Sequence, residues 1–126
     1  MGIICPACSR NSLTITSKIE LPPNERSDEV TLQLIECNKC GFQGIAVYEE
    51  SRRGKINSDT FSHRGYKVSS ELLNKLKEIV DQCPYPNNSK CRCKAHRYFI
   101  NLYRAGKWGW LEEQSKHKPF EITYQV

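Results

Sequence analysis

The chain has 126 residues, a formal charge of +5 and only 38% hydrophobic residues. That length sets one domain or two very small ones, and a core this thin usually needs a metal or disulfide staple. No run approaches the ~20 apolar residues of a membrane span, and the opening Met1-Gly2-Ile3-Ile4 is too short an apolar run for a secretory leader, so a reducing, cytoplasmic setting is expected.

Seven cysteines are present, and their spacing chooses between the two kinds of staple. Cys5-Pro6-Ala7-Cys8 and Cys37-Asn38-Lys39-Cys40-Gly41 are two C-x-x-C knuckles about thirty residues apart. Four thiolates in that arrangement form the tetrahedral set that structural zinc prefers. The residues between the knuckles must then fold so that the knuckles meet. Residues 13–16 and 17–21 are short and rich in β-formers, 22–27 read as a loop, and 30–35 alternate and lead back to the second knuckle. Gly41 allows the second knuckle to turn, and residues 44–48 read as a third strand.

These residues resemble the zinc-ribbon superfamily, whose members recur in transcription factors, RNA polymerase subunits and ribosomal proteins. The resemblance covers roughly the first fifty residues, with Ser9 standing where the ribbon usually has Gly after its first knuckle. Arg26-Ser27-Asp28-Glu29, followed seven residues later by the second knuckle, also looks like the ribbon of RNA polymerase transcript-cleavage factors. That resemblance implies a role for Asp28 and Glu29 in holding catalytic Mg²⁺ within a polymerase.

Residues 51–68 are polar and turn-rich, a linker or exposed loop, with His63 expected at the surface. A helix over 70–82 follows, capped by Ser69 or Ser70, with Leu72, Leu73, Leu76, Ile79 and Val80 on one apolar face. Next come Cys83, Cys91, Cys93 and His96, three Cys and one His within fourteen residues. Their identities suit a second closed zinc site, and with the four ribbon cysteines they make two complete ligand sets with no cysteine left over. Residues 95–105 read as a second helix ended by Gly106. Phe120, Ile122, Tyr124 and Val126 alternate with polar residues as a closing strand.

Charge is uneven along the chain. Residues 1–50 hold four Lys/Arg against seven Asp/Glu, and residues 51–126 hold fifteen against seven. Between Asp81 and Glu112 there is no acidic residue, while Arg92, Lys94, Arg97, Arg104 and Lys107 are interleaved with aromatics that include Trp108. Cations contact phosphates and aromatic faces stack on bases, so this stretch is the expected nucleic-acid surface, DNA or RNA.

The sequence thus predicts a small α+β protein: a zinc-ribbon β unit over 1–50, a connecting segment over 51–68, and a two-helix zinc-binding basic module with a closing strand over 69–126. Two structural Zn²⁺ and a nucleic-acid partner, within a transcription or RNA assembly, are the expected ligands. A zinc-stabilised protein-interaction adaptor is the alternative. An enzyme is not expected, since no Ser-His-Asp or Cys-His catalytic arrangement is visible and the H-x-E…P-C-x-x-C pattern of zinc deaminases is absent.

Overall fold

The structure, a computed structural model, describes residues 2–23, 29–51, 60–102, 108–115 and 117–125, with the side chains of 60, 61 and 125 left out. Its centre is an antiparallel sheet. The strands are β1 (Gly2–Ile4), β2 (Asn11–Leu21), β3 (Glu29–Cys37), β4 (Gln43–Ser51), β5 (Thr60–Lys67), β6 (Phe120–Glu121) and β7 (Tyr124–Gln125), in the order β6-β5-β4-β3-β2-β1-β7. The two short strands expected over 13–21 are one strand, kinked by a register shift between Ile15 and Ser17. The bulge explains why its two halves read as separate segments: one extra residue swaps which side chains face the core.

The two ends of the strand order are six residues of one segment. Gly65 pairs with Phe120, and Ile3 pairs with Tyr124. Between these pairings the Ile122 N–H donates to the His63 carbonyl (2.9 Å), and the Ile4 N–H donates to the Thr123 carbonyl (2.8 Å). The segment therefore bonds β5 on one side and β1 on the other, and it closes the curled sheet into a small barrel. The expected closing strand is present. Residues 60–67, expected within a linker or exposed loop, are instead strand β5. Val126 and residues 52–59 lie outside the described residues.

Each long strand splits its side chains between two cores. Val30, Leu32 and Leu34 of β3 face the helices with Ile45, Val47 and Tyr66. Ile35 and Cys37 face inward with Ile3, Leu13, Ala46 and Cys5, where Phe42, Phe120 and Ile122 pack against them. Among the described residues the helices are α1 (Ser70–Asp81), α2 (Lys94–Leu102) and α3 (Gly109–Ser115), one more than the two expected. Ser69 caps α1 by accepting the Leu72 N–H at 3.2 Å, and α1 buries Leu73, Leu76 and Val80. Phe99 of α2 and Leu111 of α3 are almost fully buried on the same side of the sheet.

His63 is 5% exposed, not a surface residue as expected. It sits on the inner face of β5, where Nε2 lies 2.7 Å from Gln33 Oε1 and Nδ1 lies 3.1 Å from the Tyr124 hydroxyl. The amide oxygen can only accept, so Nε2 carries the proton and Nδ1 accepts from Tyr124. Burial holds the ring below its ordinary pKa, against a counter-pull from Glu121. The neutral imidazole therefore ties the closing strand to β5 and β3 at once. No helix among the described residues is long and apolar enough to cross a membrane.

The seam at β6 is tight. A Cβ at Gly65 would lie 2.4 Å from the tip of the Phe120 ring, which lies over the glycine. Gly65→Ala should cost about 1–3 kcal/mol through overpacking, read as a lower urea midpoint. An unchanged midpoint would mean that Phe120 yields freely and that its packing does not hold the seam.

Candidate metal centres

Two four-residue clusters bring their ligand atoms within 4.8 Å of one another. The first joins Cys5 and Cys8, on the turn from β1 to β2, to Cys37 and Cys40, on the turn from β3 to β4. Pairing of Leu13 with Cys37 across β2 and β3 sets the two turns side by side. The first turn closes with Ser9 N–H donating to the Cys5 carbonyl at 2.9 Å, and the second carries N–H groups of Lys39 and Cys40 to Cys37 Sγ, both at 3.3 Å. Gly41 adopts φ 80°, as its place after the knuckle requires, and Ser9 adopts φ 61° in the equivalent place. Ser9 thus holds the left-handed conformation that Gly adopts most readily, at some steric cost.

Sulfur separations in this cluster include 3.6 Å between Cys5 and Cys40 and 3.8 Å between Cys8 and Cys37. Four thiolates about 2.3 Å from one tetrahedral ion would be about 3.8 Å apart. The donor set therefore fits a metal ion. The electrostatics show what loading must do. Burial opposes ionisation of Cys37, yet the Cys40 and Lys39 N–H groups and the Ser12 hydroxyl, 3.0 Å away, bring it down to about 5. The Phe42 N–H favours the Cys40 thiolate, but desolvation and the neighbouring sulfurs outweigh it and push Cys40 up to about 12.

The second cluster joins Cys83, just after α1, to Cys91 and Cys93 in the following loop and to His96 in the first turn of α2. Cys83 Sγ lies 3.9 Å from Cys91 Sγ, and His96 Nδ1 lies 3.1 Å from Cys83 Sγ and 3.4 Å from Cys93 Sγ. The other ring nitrogen, Nε2, donates to the Glu20 carbonyl at 2.9 Å. That bond fixes the tautomer and leaves the Nδ1 lone pair aimed into the sulfurs, the arrangement a metal-ligating histidine needs. Burial and the Cys93 and Cys91 sulfurs push Cys83 up to about 12, against a pull from the Tyr85 N–H. Burial also opposes ionisation of Cys93, but the His96 backbone N–H and the neighbouring Cys83 and Cys91 thiols bring it down to about 6.

The same loop does a second job. β1 covers only the first part of β2, and beyond it the Glu20 N–H donates to the Pro86 carbonyl at 2.7 Å. With the His96 bond, both backbone groups of Glu20 are satisfied by the metal loop. The cluster is therefore built against a sheet edge.

The expected nucleic-acid residues fare differently. Arg92, Lys94 and Arg97 are exposed around the second cluster, while Arg104 and Lys107 lie outside the described residues. Trp108 is a correction: it is 6% exposed, packs in the helix-side core and donates its indole N–H to Glu49 Oε1 at 3.0 Å. A ring buried in this way is not presented to a base. Tyr85, one of the aromatics interleaved with these cations, stands on the metal loop and is 65% exposed. Glu29 is half-buried in β3 and paired in register with Glu50, and Asp28 lies outside the described residues.

With Cys40 and Cys83 pushed up to about 12, both carry protons at neutral pH and must lose them to bind metal. Metal loading at pH 7 should release at least one proton per cluster, and affinity should rise with pH. Calorimetry in buffers of differing ionisation enthalpy measures this, and proton-independent binding would contradict the geometry. His96→Ala should unload only the second cluster, leaving one ion per chain by native mass spectrometry.

The chain matches no protein-family model, no curated protein and no solved structure, so the likeness to a zinc ribbon rests on the placement of Cys5, Cys8, Cys37 and Cys40.

Proposed function

We propose that the chain is a nucleic-acid-binding protein held together by two structural zinc ions, with its binding face on the second metal loop and the start of α2. Zinc is the assignment because each cluster offers four donors, all or mostly cysteine sulfur and with no carboxylate, which is the donor set of closed tetrahedral zinc sites.

The observation that carries the reading is the surface around the second cluster. Lys90, Arg92, Lys94 and Arg97 are all exposed within eight residues, Tyr85 projects from the same loop, and no acidic residue interrupts the segment. The ligands Cys91, Cys93 and His96 alternate with these cations. A bound ion would hold the backbone between them, so that several charges meet a phosphate backbone without first being ordered. Tyr85 takes the stacking role that burial denies Trp108. A protein-interaction adaptor would use the same cations on an acidic partner and would not bind oligonucleotides.

If about four phosphates are neutralised, log K should fall with log[salt] with a slope of roughly −3 on single strands and nearly −4 on duplex. Arg92→Ala with Arg97→Ala should weaken binding to every sequence and flatten the slope. Tyr85→Ala should cost on the order of 1–3 kcal/mol on single strands and leave the slope little changed. Fluorescence anisotropy across a salt series, on zinc-replete protein, reads all of these. Absence of saturable binding at low salt would sink the proposal and favour the adaptor.

A further inference from the structure

Between the helix-facing side of β4 and β5 and the start of α3 lies a cavity of about 270 Å³, lined by none of the eight ligands and none of the exposed cations of the metal loop. Val47, Tyr66 and Trp108 form its walls, and Glu49, Glu112 and Arg64 stand around it. It is smaller than the ~300–1,000 Å³ of pockets that enclose drug-sized ligands, and its size suits the end of a side chain or a slender aliphatic molecule.

Its lining carries more acid than base, with Glu49 and Glu112 against Arg64. Tyr66 is only 4% exposed, and its hydroxyl has no hydrogen-bond partner among the described residues. The ring is enclosed while the hydroxyl borders the cavity, so it can take a partner from whatever occupies that space. Burial raises its pKa first, and then Glu112 and Glu49 raise it while Arg64 pulls the other way, which places all three charges around the phenol. Arg64 leans to Glu121 of β6, with Nε 3.6 Å from Oε1, so its charge is shared with a third carboxylate. The indole N–H of Trp108 is committed to Glu49, which fixes the ring as a wall. Carboxylates, a phenol oxygen and aromatic surface favour a cation with N–H donors on an apolar stem, and they disfavour an anion.

We propose that this cavity binds an organic ammonium group, with Glu112 and the Tyr66 hydroxyl as acceptors and Val47 and Trp108 walling the stem. The amine of a protein lysine and that of a free aliphatic polyamine share this chemistry. The site is independent of the nucleic-acid face, since neither its residues nor its charge are those of the metal loop.

The test uses the full, metal-loaded chain and follows the Trp108 indole N–H by nuclear magnetic resonance, its signal assigned with Trp110→Phe. The probes are Nα-acetyl-lysine methylamide, spermidine and, as the neutral control, Nα-acetyl-norleucine methylamide. A saturable shift is expected with at least one cation and not with the control. A response to the lysine probe alone points to a protein side chain, and a response to spermidine alone to a polyamine. Glu112→Gln, a change at an exposed position, should weaken binding about tenfold or more, as loss of a charge-assisted hydrogen bond does. Tyr66→Phe keeps the ring and should weaken binding by a smaller factor. No saturable shift with either cation overturns the proposal. So does an equal response to the neutral control, or unchanged affinity in both variants while their backbone spectra stay native.

Discussion

A short curled sheet leaves rows of backbone donors and acceptors at its edges, and the ways this chain satisfies them fix most of the rest of the structure. The outer edges of β5 and β1 are served by one segment, residues 120–125, which turns an open sheet into a barrel. The part of β2 that β1 does not reach is served by the loop after α1, through Pro86 and His96. The second metal cluster therefore sits where it does for a backbone reason. Its histidine takes the Glu20 carbonyl with one nitrogen and faces three sulfurs with the other. The helices α1 and α2 are held to the sheet from the same place.

The inner face of the barrel changes character along its length. At the knuckle end it is apolar and includes Cys5, Cys37, Ile35 and Phe120. Toward the other end lie Gln33, His63, Tyr48 and Tyr124, with the Tyr48 hydroxyl donating to Glu50 at 2.8 Å and its ring edge-on to His63. A polar interior is tolerated here because these groups find hydrogen-bond partners among themselves and on Glu50. His63 is the centre of that set, and its burial is possible only because Gln33 and Tyr124 engage both nitrogens.

Much of the site was legible in sequence because metal ligands announce themselves by identity and spacing. The eight Cys and His residues were readable in that way, as were α1, from its apolar face, and the closing strand, from its alternation. What escaped was set by distant partners. Residues 60–67 read as loop because His63 and Gly65 occupy inward positions where an apolar residue would normally signal a strand; a polar network and the Phe120 ring fill those places instead. α3 was hidden because its short run was read with the basic surface. Trp108 looked like a stacking residue until Glu49, far away in sequence, gave its indole a buried partner. The bulge in β2 hid the continuity of that strand, since a one-residue shift breaks the period on which the reading depends.

The pairing of Gly2 with Gln125 also orders events in time. All four ligands of the first cluster lie within residues 5–40 and are made before residues 120–125, which supply the outer neighbour of β1. Contacts so far apart in sequence form slowly. For that interval a metal-loaded knuckle pair would hold β1 against β2, and so keep in register an edge that the nascent chain would otherwise offer to other strands.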